Sequence, residues 1–175
     1  YLGTRHHLGF MVVDRLAERH GVRMRSSKSL ESGRWGGVLL VKPTTFMNLS
    51  GKAVQAALTQ ARAKPAQLLV LHDDLDLPLG RLRFKKGGGA GGQRGVQSTI
   101  SLLGADFWRL KLGISRPPEG WQVSNWVLSR FREDEIELVE RVVETAADAV
   151  ERALETGIER AMNEVNGVDL AQPAR

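Results

Sequence analysis

Strand-like runs and helix-period segments take turns along this chain, and that alternation narrows the fold more than any other feature. Val38-Leu39-Leu40-Val41 is a short β-rich run ended by Pro43, with Gly36-Gly37 ahead of it as a turn. Residues 67–71 form an apolar run short enough for a buried strand. Residues 81–86 and 109–114 alternate polar with apolar, as one-sided strands do. Between these runs the period changes. Phe10, Val13, Leu16 and Ala17 recur at helical spacing over 7–19, and Gly21 stops the segment. Further helices are expected over 49–63, 96–103 and 133–156, and a shorter one closes at Asn166-Gly167. The long helix turns Ile136, Val139, Val143, Ala146, Ala147 and Val150 inward. No repeat or linker interrupts the pattern. It predicts one α/β domain over residues 1–175: a mixed, mostly parallel twisted sheet flanked by helices, with 168–175 a loose tail. Ligands of such sheets bind past the carboxyl ends of strands, and Asp73 stands at one such end.

Charge is sorted along the chain. Residues 131–165 hold eleven Asp/Glu against four Arg, so with +5 overall the remainder carries +12. Such asymmetry predicts a basic working surface and a separate acidic helical element. A basic surface attracts polyanions, nucleic acid above all; a solvated surface without a partner is the open alternative. No apolar run reaches the roughly 18 residues that cross a bilayer, and no basic-then-apolar leader is read, so a cytoplasmic location is expected. The absence of cysteine excludes disulfides and thiolate metal sites and fits a reducing compartment.

Four segments could carry chemistry. Thr4-Arg5-His6-His7 opens a helix, whose positive end favours a neutral imidazole, the form a general base needs. Taken alone, His6 reads equally as a surface or capping residue. The adjacent histidines point about 100° apart, which argues against one shared metal ion. His72-Asp73-Asp74-Leu75-Asp76 follows the apolar run: a carboxylate there could hold an imidazole tautomer, bind Mg²⁺, or only solvate a turn. Thr44-Thr45-Phe46-Met47-Asn48-Leu49-Ser50-Gly51 offers helix caps or, functionally, an amide that orients a carbonyl beside an apolar wall of Phe46 and Met47. The stretch GGGAGGQRG at 87–95 ends in no GKS or GKT, so it is not a Walker loop. The run by itself reads equally as a mobile loop, but bare backbone N–H groups with Arg81, Arg83, Lys85, Lys86, Arg94, Arg109 and Lys111 around them shift the balance toward a phosphate site.

In this order the segments resemble one family, the bacterial peptidyl-tRNA hydrolases. The carriers are Y-x-x-TRH at 1–6, KPTTFMNLSGKAV at 42–54, LLVLHDDLDLPLGRLRFK at 68–85, the glycine-rich run, and RLKLGISRPP at 109–118, nearly the whole chain. The resemblance implies hydrolysis of the ester that joins a peptide to the 3′-terminal ribose of tRNA. It implies His6 as the base that activates water, Asp73 as its support, and Asn48 as the residue that positions substrate. It implies Tyr1, Phe46, Met47 and Arg94 as contacts to peptide or tRNA, and Lys85 with Lys111 as a clamp on the tRNA 5′-phosphate. Peptidyl-tRNA is then the partner, with no membrane, cofactor or metal, and the protein is expected to be a monomer.

The chain departs from the family pattern in three places. Members open on a strand and a GLGNPG motif ahead of the tyrosine; none of it precedes Tyr1, and a truncated or mis-started sequence is expected rather than a natural variant. His7 replaces the usual asparagine after the histidine, and Gln93-Arg94-Gly95 replaces the usual His-Asn-Gly. The main rival reading is a non-catalytic RNA-binding protein on the same fold. The pairing of His6 with Asp73 argues against it, since a pure binder has no need of both. A peptidase or amidase using the same cleft is a second rival, against which the basic residues speak.

Overall fold

Short connections decide how the first strands pair. β1 (Arg25–Ser26), β2 (Leu30–Trp35) and β3 (Val38–Pro43) are separated by turns too short for a crossover, so they can pair only antiparallel. They do so in the order β1-β2-β3, with Arg25 opposite Ser32 and Leu30 opposite Pro43. These relations come from a computed structural model, which describes residues 3–172; Tyr1 lies outside them. A second three-stranded sheet has the order β4-β6-β5, from β4 (Leu69–Asp74), β5 (Leu82–Lys86) and β6 (Trp108–Gly113). β4 and β6 run parallel: Trp108 N–H donates to Leu68 O and Ile114 N–H to Asp74 O. β5 runs antiparallel to β6, with Gly113 N–H to Arg81 O and Gly87 N–H to Phe107 O.

The expectation of one mixed, mostly parallel sheet is therefore wrong. Two small sheets form, and among the described residues only β4 with β6 is parallel. For the first sheet the reason lies in the connections: a parallel pairing needs a crossover of a dozen residues or more, and the β1–β2 and β2–β3 links are far shorter. A second correction concerns β4. The apolar run was read as ending at Leu71, but the ladder with β6 carries the strand on through His72 and Asp73 to Asp74.

The helices are α1 (Leu8–Arg19), α2 (Ser50–Ala61), α3 (Arg94–Leu103), α4 (Val123–Val127), α5 (Ile136–Thr156) and α6 (Ile158–Val165). Contacts divide the described residues into two compact units, 3–12 with 71–85 and 110–172, and 13–70 with 86–109. In the first, α5 buries Val139, Val142, Val143, Ala146, Ala147 and Val150 as its 3.6-residue period requires, while Ile136 at its first position is half exposed. Asn166, after α6, uses its side chain as a strand would. It accepts from Phe84 N–H at 2.8 Å and donates to Phe84 O at 3.1 Å, which covers the edge of β5. Of the expected loose tail, Leu170 N–H donates to Gly80 O, and Asp169 forms a bridge with Arg81; 173–175 lie outside the described residues.

In the second unit, α2 and α3 approach closely enough that a Cβ on Gly51 would collide with the Ser98 carbonyl, and Gly51 N–H donates to Ser98 Oγ at 2.9 Å. The buried Lys42 meets Asp14 at 2.6 Å and Glu31 at 3.3 Å. No helix among the described residues is long and apolar enough to cross a membrane.

Candidate active site

A close backbone contact in the first unit brings two titratable groups together. A Cβ on Gly9 would stand 2.5 Å from Leu71 O, so only glycine lets α1 lie directly on β4 at this point. The 3-10 turn Arg5–His7 runs straight into α1, and Asp73 follows Leu71 by two residues. As a result His6 Nδ1 lies 3.2 Å from Asp73 Oδ1, with the His6 side chain 14% exposed and that of Asp73 6%. The hydrogen bond to the Asp73 carboxylate raises the His6 pKa above the ordinary imidazole value; burial opposes this and the carboxylate charge adds to it. The expected effect of the helix end, favouring neutral imidazole, does not prevail: the hydrogen bond to Asp73 raises the His6 pKa. In the neutral ring, Nδ1–H faces the carboxylate and Nε2 keeps the lone pair. That is the tautomer a general base requires.

The residue before His6 was read only as part of a motif, and the structure gives it a definite environment. Arg5 is 1% exposed. Its guanidinium donates to both Glu135 oxygens, at 2.8 and 3.0 Å, and to Ser129 Oγ at 3.0 Å. It also stacks on Trp126 at 3.7 Å and faces Phe131 at 5.1 Å. Backbone bonds run beside it, from Arg5 N–H to Ser129 O and from Phe131 N–H to Gly3 O. Burial pushes the Glu135 carboxyl up, but the Arg5 hydrogen bond, the Arg132 N–H and both guanidinium charges bring it below the usual range. The strand of chain that carries His6 is thus pinned on one side of the histidine by a buried ion pair and on the other by Gly9. Nothing in local sequence marks Trp126, Ser129 and Glu135 as partners of Arg5, since they stand more than a hundred residues away.

Lys85 is exposed on β5, and Lys111 on β6 lies 3.8 Å from Asp74 with little of its side chain in solvent. Because Arg81 pairs with Gly113 across the antiparallel ladder, Arg83, Lys85 and Lys111 share one face of the sheet. His72 is buried, its Nδ1 2.9 Å from Asp73 O; burial lowers its pKa against the opposing hydrogen bond to the Asp73 backbone and the Asp73 and Asp74 charges.

The second unit holds the remaining candidates. The 3-10 turn Met47–Leu49 presents Asn48 exposed, and Phe46 before it is 82% exposed, an apolar ring in open solvent. Met47 is half-buried against the start of α3, where a Cβ on Gly95 would stand 2.8 Å from its sulfur. Arg94 is the exposed first residue of α3, and Gln93 caps that helix by accepting from Val96 N–H at 2.8 Å. Arg109, read as a nearby cation for phosphate, proves fully buried: it donates to Gly89 O at 2.7 Å and Ala105 O at 3.0 Å, which ties down the glycine-rich loop. Among the described residues, no group of three His, Cys, Asp or Glu could hold a metal ion.

A sequence model of the family described as peptidyl-tRNA hydrolase matches residues 1–173. A peptidyl-tRNA hydrolase of Wolinella succinogenes is 47% identical over 163 residues, covering 91% of this chain and 83% of that protein. One from Symbiobacterium thermophilum is 47% identical over 174 residues, covering 95% and 92%. Among solved structures, the peptidyl-tRNA hydrolase of Acinetobacter baumannii superimposes with a TM-score of 0.90 at 32% identity, covering 97% of this chain and 90% of that one.

Proposed function

The chain belongs to the peptidyl-tRNA hydrolase family, and from that premise we propose that it hydrolyses the ester between peptide and tRNA with His6 as general base. The observation that carries this reading is the 3.2 Å contact of His6 Nδ1 with the Asp73 carboxylate. Nε2 takes a proton from water as the water attacks the ester carbonyl. The tetrahedral oxyanion collapses, the bond to the ribose oxygen breaks, and the proton returns to that oxygen. An ester is easier to cleave than an amide, so one base and a positioned water suffice without a serine nucleophile. Asn48 positions the substrate, Tyr1, Phe46 and Met47 contact its peptide or terminal nucleotide, and Arg94 contacts the tRNA. In this reading the protein works in the cytoplasm as a monomer, with peptidyl-tRNA as its partner and no cofactor.

The direct test is incubation with an N-acetylated aminoacyl-tRNA. Release of the acetylated amino acid is expected; binding without release overturns the enzyme reading in favour of an RNA-binding protein. The support given by Asp73 has its own signature. The acid limb of kcat/KM reports the free-enzyme base and is expected above the usual imidazole midpoint of about 6.5, because His6 is shifted upward. Asp73→Asn removes both raising causes and leaves burial, so the limb moves below that of wild type and turnover falls. A limb that stays in place removes Asp73 from the mechanism.

For the clamp, Lys85→Ala with Lys111→Ala raises KM about tenfold for tRNA bearing a 5′-phosphate, the scale of one charge-assisted hydrogen bond. tRNA lacking that phosphate is unaffected. An equal effect on both substrates means the lysines supply only general attraction.

A further inference from the structure

The three-stranded sheet β1-β2-β3 separates its charges by face. Strand alternation puts Glu31 and Lys42, which are register partners, on one side. There Lys42 is neutralised by Glu31 and by Asp14. Arg25 is opposite Ser32, and Arg34 follows Ser32 by two residues, so these three project from the other side. On that side lies an open pocket of ≈ 310 Å³ whose lining includes Arg23, Arg25, Arg34, Ser32 and Gln60 and contains no carboxylate. Arg34 donates to Gln60 O at 3.2 Å, at the end of α2, and Gln60 Nε2 donates to Ser32 Oγ at 3.4 Å. The helix carbonyl end thus orients one guanidinium, while the carboxylates that could have quenched the pocket are used on the opposite face. What remains is a concave surface of guanidinium, hydroxyl and amide groups beside Gly33 and Leu39.

We infer that this pocket binds backbone phosphates of RNA, a second phosphate-binding region of the protein in addition to Lys85 and Lys111. The inference rests on the reading of peptidyl-tRNA as substrate and adds to it where a further part of that RNA is held. Guanidinium forks suit phosphate oxygens bidentately, and a contact made only to phosphates is independent of base sequence, as an enzyme accepting many tRNAs requires.

The test measures binding of deacylated, fluorescently labelled tRNA to the full chain over a series of chloride concentrations, so it does not depend on turnover. Each lost phosphate contact lowers the slope of log Kd against log salt by about 1. Arg23→Ala with Arg25→Ala is expected to weaken binding and reduce the slope by about 2, equally for tRNAs of different sequence. Arg23→Lys with Arg25→Lys keeps the charges and retains the slope. A slope unchanged in the alanine variant overturns the inference even if hydrolysis of N-acetylated aminoacyl-tRNA proceeds, in which case the enzyme reading stands alone. Competition by millimolar inorganic phosphate beyond that of chloride at matched ionic strength also overturns it, since the pocket would then hold a small anion.

Discussion

His6→Ala lowers kcat on an N-acetylated aminoacyl-tRNA by about 10²- to 10⁴-fold, the usual contribution of a positioned general base, while KM stays within about threefold. The split follows from geometry. His6 is mostly buried and held by Asp73, so its removal deletes proton transfer and leaves the residues proposed to bind tRNA in place. Single-turnover hydrolysis checks it, because a slow product-release step would mask the chemical step. Turnover within threefold of wild type removes His6 from the reaction and leaves the proposed mechanism without a base.

Arg5→Ala is expected to destabilise the fold by roughly 3–5 kcal/mol, the cost of breaking a buried pair and stranding its partner. For a chain of this length that is on the order of 10 °C in Tm. The partner in question is Glu135, held by Arg5 through two bonds and only 12% exposed. Arg132 still reaches Glu135 from the solvent side, which places the effect toward the lower end of the range. Arg5→Lys recovers less than half of the loss, since an ammonium can neither form the bidentate fork nor stack on Trp126 as a planar guanidinium does. Thermal unfolding of the three proteins decides it; equal melting temperatures for Arg5→Lys and wild type mean that charge alone matters.

What could be read from sequence was local. The helical stripe of α5, from Val139 to Val150, and the β-rich run of β3 follow from period and composition within a dozen residues. The helix reading of 96–103 missed only the two residues that open α3. Sheet pairing was not local: whether β4 meets β5 or β6, and in which direction, depends on contacts across 40 residues. The same limit applied to the candidate site. His6 and Asp73 were singled out by family resemblance, but the devices that bring them together were not. Gly9 looks like an unfavourable helix residue until Leu71 O is found against it. Arg5 is legible in sequence only as part of a motif and Arg109 only as a cation suited to phosphate, yet both are buried, where a guanidinium needs carbonyl or carboxylate partners that no local pattern reveals.

The upward shift of His6 also ties conformational free energy to acidity. A group whose pKa is higher folded than unfolded stabilises the native state fully below its unfolded value, near 6.5, and loses that contribution as pH rises through the folded value. The imidazolium, which holds the chain together most firmly through Asp73, is therefore the protonation state that cannot accept a proton from water. Mild acid should find the protein at rest and, as far as this pair is concerned, hardest to unfold; the pH range in which it turns over is the range in which this tie is released.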